Sequence, residues 1–144
     1  MDIIGHRIDE FRARAFYIDN SLISCCIVLF IKIDDGRWYS LTIDDGEYSF
    51  LLEKSEHKII SLQEITDSFA YPIQKIDILD KYEGKVLKNV MEYRLINNNL
   101  CIGIYLQFDS GGLSIIESDG ALSFYDAISD EIINYTQLVN LCNN

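Results

Sequence analysis

The chain has 144 residues, 49% of them hydrophobic and 24% charged, and a formal net charge of −11. This is globular composition, expected to form one domain over residues 1–144, and it argues against disorder. With 12 Lys and Arg against 23 Asp and Glu, there is no basic cluster to neutralise phosphates, so neither nucleic acid nor an anionic membrane is an expected partner.

The N-terminal MDIIGHRIDEF carries charge within its first ten residues and lacks the apolar stretch of roughly 7–15 residues that a secretory signal needs. The most apolar run, residues 23–33, contains Lys32 and is too short to span a bilayer. A cytoplasmic protein is the expectation. Residues 7–16 (RIDEFRARAF) place Ile8, Phe11 and Ala15 at helical spacing, so a short amphipathic helix is predicted; the alternation of Phe11, Ala13 and Ala15 with Arg12 and Arg14 also allows a strand.

Residues 22–33 (LISCCIVLFIKI) form a continuous, β-branched run suited to a strand buried on both faces. Two Asp-Asp-Gly triplets, at 34–36 and 44–46, then supply the positive φ values of tight turns. They predict a three-stranded meander with strands at 37–43 and 47–52. Ser61 and Glu64 have capping-box spacing, which predicts a short helix over 61–69 that Pro72 ends. Residues 73–79 fit a strand or a helical turn, and 80–85 a polar connection.

A second meander follows at 86–96, 100–108, 112–118 and 121–126, its apolar runs broken by Asn-Asn-Asn, Ser-Gly-Gly and Asp-Gly. In its second strand Ile102, Ile104, Leu106 and Phe108 share the core face, and Cys101, Gly103, Tyr105 and Gln107 the other. Gly103 marks a bulge or a close backbone approach. Residues 129–141 predict a C-terminal helix: Ser129 as N-cap, Asp130 and Glu131 in the first turn, and Ile132, Tyr135, Leu138 and Val139 on one face. The expected fold class is α+β: mainly antiparallel sheet, two meanders of seven to eight strands, and two or three short helices.

Catalytic and metal chemistry find little support. His6 and His57 are isolated, and neither neighbours a serine or cysteine in a nucleophile pattern. No C-x-x-C pair exists, so Cys25, Cys26, Cys101 and Cys142 are expected as reduced thiols rather than zinc ligands or disulfides. The Asp-Asp-Gly triplets lack the ligand spacing of a calcium loop, and Ser110-Gly111-Gly112 lacks the lysine and helix start of a phosphate loop. No cofactor, no metal and no enzymatic activity are expected.

The charge is unevenly distributed. Residues 1–100 carry 12 basic and 17 acidic groups, whereas residues 101–144 carry no basic and six acidic ones. Those six, Asp109, Glu117, Asp119, Asp126, Asp130 and Glu131, together with Tyr105 and Tyr125, are the candidate partner-binding residues. Carboxylates steer and pair with Lys and Arg, and tyrosine offers large contact area with few rotatable bonds. Simple solubility would explain the same charge without a partner.

The segment YRLINNNLCIGIYLQFDSGGLSIIESDG, with the small size and acidity of the chain, resembles the immunity proteins of bacterial toxin systems, including contact-dependent growth inhibition. The resemblance implies a toxin-neutralising protein in a 1:1 complex with a cognate basic toxin, often a nuclease, whose active site it covers. That family has no universal motif, so no residue role carries over by position. The alternative is a non-catalytic structural or regulatory domain that self-associates through sheet edges or binds a small ligand.

Overall fold

The structure is a computed structural model that describes residues 2–141, so Cys142 lies outside the described residues. Eleven strands and two 3₁₀ turns make up its regular elements. The first sheet has the order β4-β3-β2-β1-β5, with β6 also paired to β1; the second has the order β10-β9-β8-β7-β11. All pairs are antiparallel. The fold is therefore mainly antiparallel β, as expected, but the described residues hold eleven strands rather than seven to eight, and the helices of the α+β expectation are replaced by strands and turns.

The strands are β1 (Ile8–Ile18), β2 (Ser21–Ile33), β3 (Trp38–Asp44), β4 (Glu47–Leu52), β5 (Phe69–Ala70) and β6 (Ile73–Lys75) in the first sheet. The second holds β7 (Leu87–Leu95), β8 (Cys101–Phe108), β9 (Gly112–Ser118), β10 (Ala121–Asp126) and β11 (Thr136–Asn140). One hydrophobic cluster draws on the inner faces of both: Phe11, Leu29, Ile31 and Leu41 from one, Val90, Ile104, Leu106 and Ile115 from the other. Burial of this interior drives the association of the sheets.

The predicted helix over 7–16 is a strand. Phe11, Ala13 and Ala15 are buried and alternate with half-buried Arg12 and Arg14, so the two-residue period wins once β2 and β6 flank the segment on either side. β2 is covered on both faces only in its second half, where Leu29, Ile31 and Ile33 join the main core and Phe30 joins a second cluster with Trp38 and Ile73. Leu22 and Ile23, near its start, are exposed.

The two Asp-Asp-Gly triplets make different turns. At 44–47 both Asp45 (φ 51°) and Gly46 (φ 77°) are left-handed, which makes a two-residue type I′ hairpin. At 33–37 only Gly36 (φ 92°) is left-handed, and Ile33 N–H donates to the Arg37 carbonyl across a three-residue loop. Asp34 braces that loop by accepting from His6 Nδ1 at 2.7 Å and from the Arg7 backbone N–H at 3.1 Å.

The predicted helix at 61–69 reduces to a 3₁₀ turn, Leu62–Glu64, with Ser61 Oγ accepting from Gln63 N–H. None of its residues is buried, so nothing extends it. The 73–79 stretch, expected as a strand or a helical turn, holds β6 and then the start of a second 3₁₀ turn, Asp77–Tyr82. That turn runs into the expected connection at 80–85 and buries Leu79 and Tyr82. The second meander lies where the turn residues place it, but at the start of its second strand the faces differ from the expectation: across a register shift in the ladder Cys101 joins the core, and Ile102 is only half-buried. Gly103 is a close approach beside a register shift in the β7–β8 ladder: an added Cβ would stand 2.7 Å from Ile116 Cδ1 and 2.9 Å from the Ile115 carbonyl.

The predicted C-terminal helix at 129–141 is the largest correction. Residues 127–135 cross the outer face of the second sheet, and 136–140 pair with β7, Thr136 opposite Leu95 and Asn140 opposite Met91. Ser129 caps no helix. It is buried, and its N–H donates to the Tyr93 hydroxyl at 3.2 Å.

Candidate partner-binding surface

The eight candidate residues fall in three places. Asp109, in the β8–β9 turn, and Asp126 and Tyr125, at the end of β10, share one end of the second sheet. Glu117 and Asp119, at the β9–β10 turn, lie at the opposite end, roughly 20 Å away along β9. Asp130 and Glu131 sit on the crossing segment, exposed. Tyr105 is half-buried on the outer face, edge-on to Tyr93 at 6.5 Å. The structure does not gather the eight into one surface.

At the β8–β9 end the carboxylates are partly consumed within the chain. Asp126 accepts from Lys81 Nζ at 2.5 Å and from the Tyr82 hydroxyl. The Lys81 ammonium and then the Tyr82 hydroxyl hold its carboxyl below the usual carboxylate range. Burial, and then the Asp126 carboxylate, push the Tyr82 phenol up. Asp126 is thus a structural acceptor as well as an exposed charge.

The β9–β10 end is different, because a turn of the first sheet joins it. Cys101 N–H donates to the Gly46 carbonyl at 2.8 Å, which docks the β3–β4 turn beside the second sheet. Asp44 and Asp45 then line one shallow hollow of about 700 Å³ with Glu117 and Asp119, and Leu100 is part of the same lining. No Lys or Arg is among the lining residues. Glu117 accepts from Gly120 N–H at 3.0 Å and so fixes the turn. The hollow beside it contains Glu47 and Arg94, but the Arg94 guanidinium donates to buried Glu92 at 2.6 Å. Like charges brought this close raise the local negative potential and favour a cationic partner.

Sequence reasoning named Glu117 and Asp119 but assigned Asp44 and Asp45 to turn chemistry alone. They are separated from Glu117 by some seventy residues, and nothing local shows that the two turns meet. Turn residues with spare carboxylates, one pair in each meander, were the available signal.

The other candidate chemistry is engaged structurally. His6 binds Asp34. His57 stacks on Phe30 at 4.5 Å, with Nε2 3.4 Å from Glu53. Cys26 and Cys101 are buried and Cys25 is exposed; burial raises the Cys26 thiol and pushes Cys101 up to about 12. Among the described residues, no three His, Cys, Asp or Glu are grouped to hold a metal ion, and no helix is long and apolar enough to cross a membrane. Comparison with protein-family profiles, with curated proteins and with solved structures finds no match to this chain.

Proposed function

We propose that the chain is an immunity protein that neutralises a basic toxin by stoichiometric binding, using the acidic end formed by the β3–β4 and β9–β10 turns. The observation that carries this reading is the meeting of Asp44, Asp45, Glu117 and Asp119 from two sheets in one open hollow without a lining cation. A shallow acidic concavity complements a convex basic surface such as the surround of a nuclease site. Opposed fields of this kind speed encounter and disfavour wrong partners.

The test uses the basic polypeptide that the tagged protein retains from its native host at low salt. Its affinity for wild type is compared with that for a variant carrying Asp44→Lys, Asp45→Asn and Asp119→Asn. Asn is chosen at 45 and 119 because φ is 51° and 52° there, a backbone Asn adopts readily. The expected result is loss of inhibition of that polypeptide, a slower association rate and affinity reduced at least tenfold, with a weaker salt dependence. Unchanged affinity and inhibition would overturn the assignment of this surface.

A further inference from the structure

The β4 strand ends the first sheet. Its sequence, EYSFLL, has one charge at its start and none from Tyr48 to Leu52, and Leu51 and Leu52 are 58% and 57% exposed. Natural edge strands are commonly guarded by lysine, proline or a bulge, because an open edge recruits another strand. β4 has none of the three: its register against β3 is unbroken from Asp44–Glu47 to Tyr39–Leu52. Glu53 N–H donates to the Trp38 carbonyl, so in the alternating antiparallel pattern the backbone groups of Tyr48, Phe50 and Leu52 point away from β3.

We propose that β4 pairs with β4 of a second copy of this chain, antiparallel about a two-fold axis through Leu51. This register is the one the residues favour. Leu51 meets Leu51 of the second copy in a close, non-hydrogen-bonded pair. Phe50 and Leu52 exchange backbone hydrogen bonds with Leu52 and Phe50 of the second copy. The three central pairs of the joint are apolar, with Ser49 and Tyr48 meeting Glu53 and Lys54 of the second copy outside them, whereas a basic foreign strand would meet only Glu47 within β4.

Charge placement points the same way. With the axis at Leu51, Glu47 and its copy lie eight ladder positions apart, about 27 Å at 3.4 Å per residue, beyond the screening length of about 8 Å at physiological salt. Lys54, just past the end of β4, falls at the Tyr48–Glu47 end of the other copy, which places an ammonium by each acidic end. Sliding the axis toward Glu47 would instead bring the two Asp44–Asp45–Glu47 ends together. The dimer leaves both acidic hollows at its far ends, so it is independent of the toxin-binding reading and would present two such surfaces outward.

Sedimentation velocity and light scattering of the full chain test this across roughly 1–300 μM, where a small edge contact associates. The mass is expected to rise from 16.6 kDa toward twice that value. Leu51→Lys sets two ammoniums face to face at the axis, where like charges directly opposite repel, and is expected to hold the mass at 16.6 kDa. Leu22→Lys, at the exposed β1–β2 hairpin, is expected to change nothing. In a Cys25→Ser background, Leu51→Cys is expected to form a dimer-linking disulfide under mild oxidation, because a non-hydrogen-bonded pair sets its Cα atoms about 4.5 Å apart. A wild type that stays monomeric over the whole range overturns the proposal. So does a dimer that survives Leu51→Lys, or one that Leu22→Lys dissolves.

Discussion

Replacing Tyr93 by Phe should destabilise the protein by about 2 kcal/mol. Tyr93 is fully buried on the outer face of the second sheet, where its hydroxyl stands in the middle of a directed hydrogen-bond chain. Ser129 N–H donates to the Tyr93 hydroxyl at 3.2 Å, that hydroxyl donates to Ser114 Oγ at 2.6 Å, and Ser114 donates to the Ala127 carbonyl at 2.5 Å. Ala127 is held at φ 61°, a conformation that costs an alanine about 1–2 kcal/mol, and its own N–H donates to the Gly112 carbonyl. The chain therefore pins residues 127–129 across the sheet against backbone strain.

Removing the hydroxyl strands the Ser129 N–H in a buried site, and an unsatisfied buried group costs about 1–3 kcal/mol. Ser114 keeps its acceptor, so the loss is not larger. At a urea dependence of about 2 kcal/mol/M for a chain of this size, the midpoint should fall by about 1 M with unchanged slope. Amide exchange at Ser129 should accelerate. Tyr125→Phe, at a tyrosine 41% exposed, is the control and should shift nothing. Because the groups act in series, Ser114→Ala and Tyr93→Phe should combine non-additively. A midpoint shift below about 0.2 M for Tyr93→Phe, or strict additivity, would refute the view that this chain fastens the crossing segment.

Two further outcomes follow from named contacts. Asp126 has a depressed carboxyl in the folded state, so the unfolded chain takes up its proton first as pH falls. Its contribution is complete above the unfolded value of about 3.9 and is lost as pH drops through the lower folded value. Acid unfolding should therefore show wild type losing stability more steeply than Asp126→Asn below pH of about 4, and parallel curves would contradict the pairing with Lys81 and Tyr82. Gly103→Ala should cost about 1–3 kcal/mol through overpacking against Ile116 and the Ile115 carbonyl. Thermal or urea unfolding indistinguishable from wild type would show that β8 and β9 can separate freely there.

What local chemistry controls was legible in the residues. Asp19-Asn20, Asp45-Gly46 and Asp119-Gly120 are all left-handed at the turns, and only the first is not signalled by a glycine, lying between the stretches read at 7–16 and 22–33. The four strands of the second meander begin and end within a residue or so of their turn signals, since a side-chain period of two and a positive-φ turn are properties of a few adjacent residues.

What remained ambiguous was settled by partners distant in the chain. Residues 8–18 and 129–141 carry apolar positions compatible with more than one period. The first became a strand because β2 and β6 pair with it, the second because β7 offered an open edge along Met91–Leu95. A backbone satisfies its amides with whichever donors and acceptors lie beside it, and that neighbour is not written in the segment. The acidic end is of the same kind. Sequence alone determined that the chain is acidic, built of hairpins and devoid of basic residues after position 100. Only the packing of one sheet on the other decided that Asp44 and Asp45 stand with Glu117 and Asp119, because electrostatic potential depends on distance in space, and these turns are close only after folding.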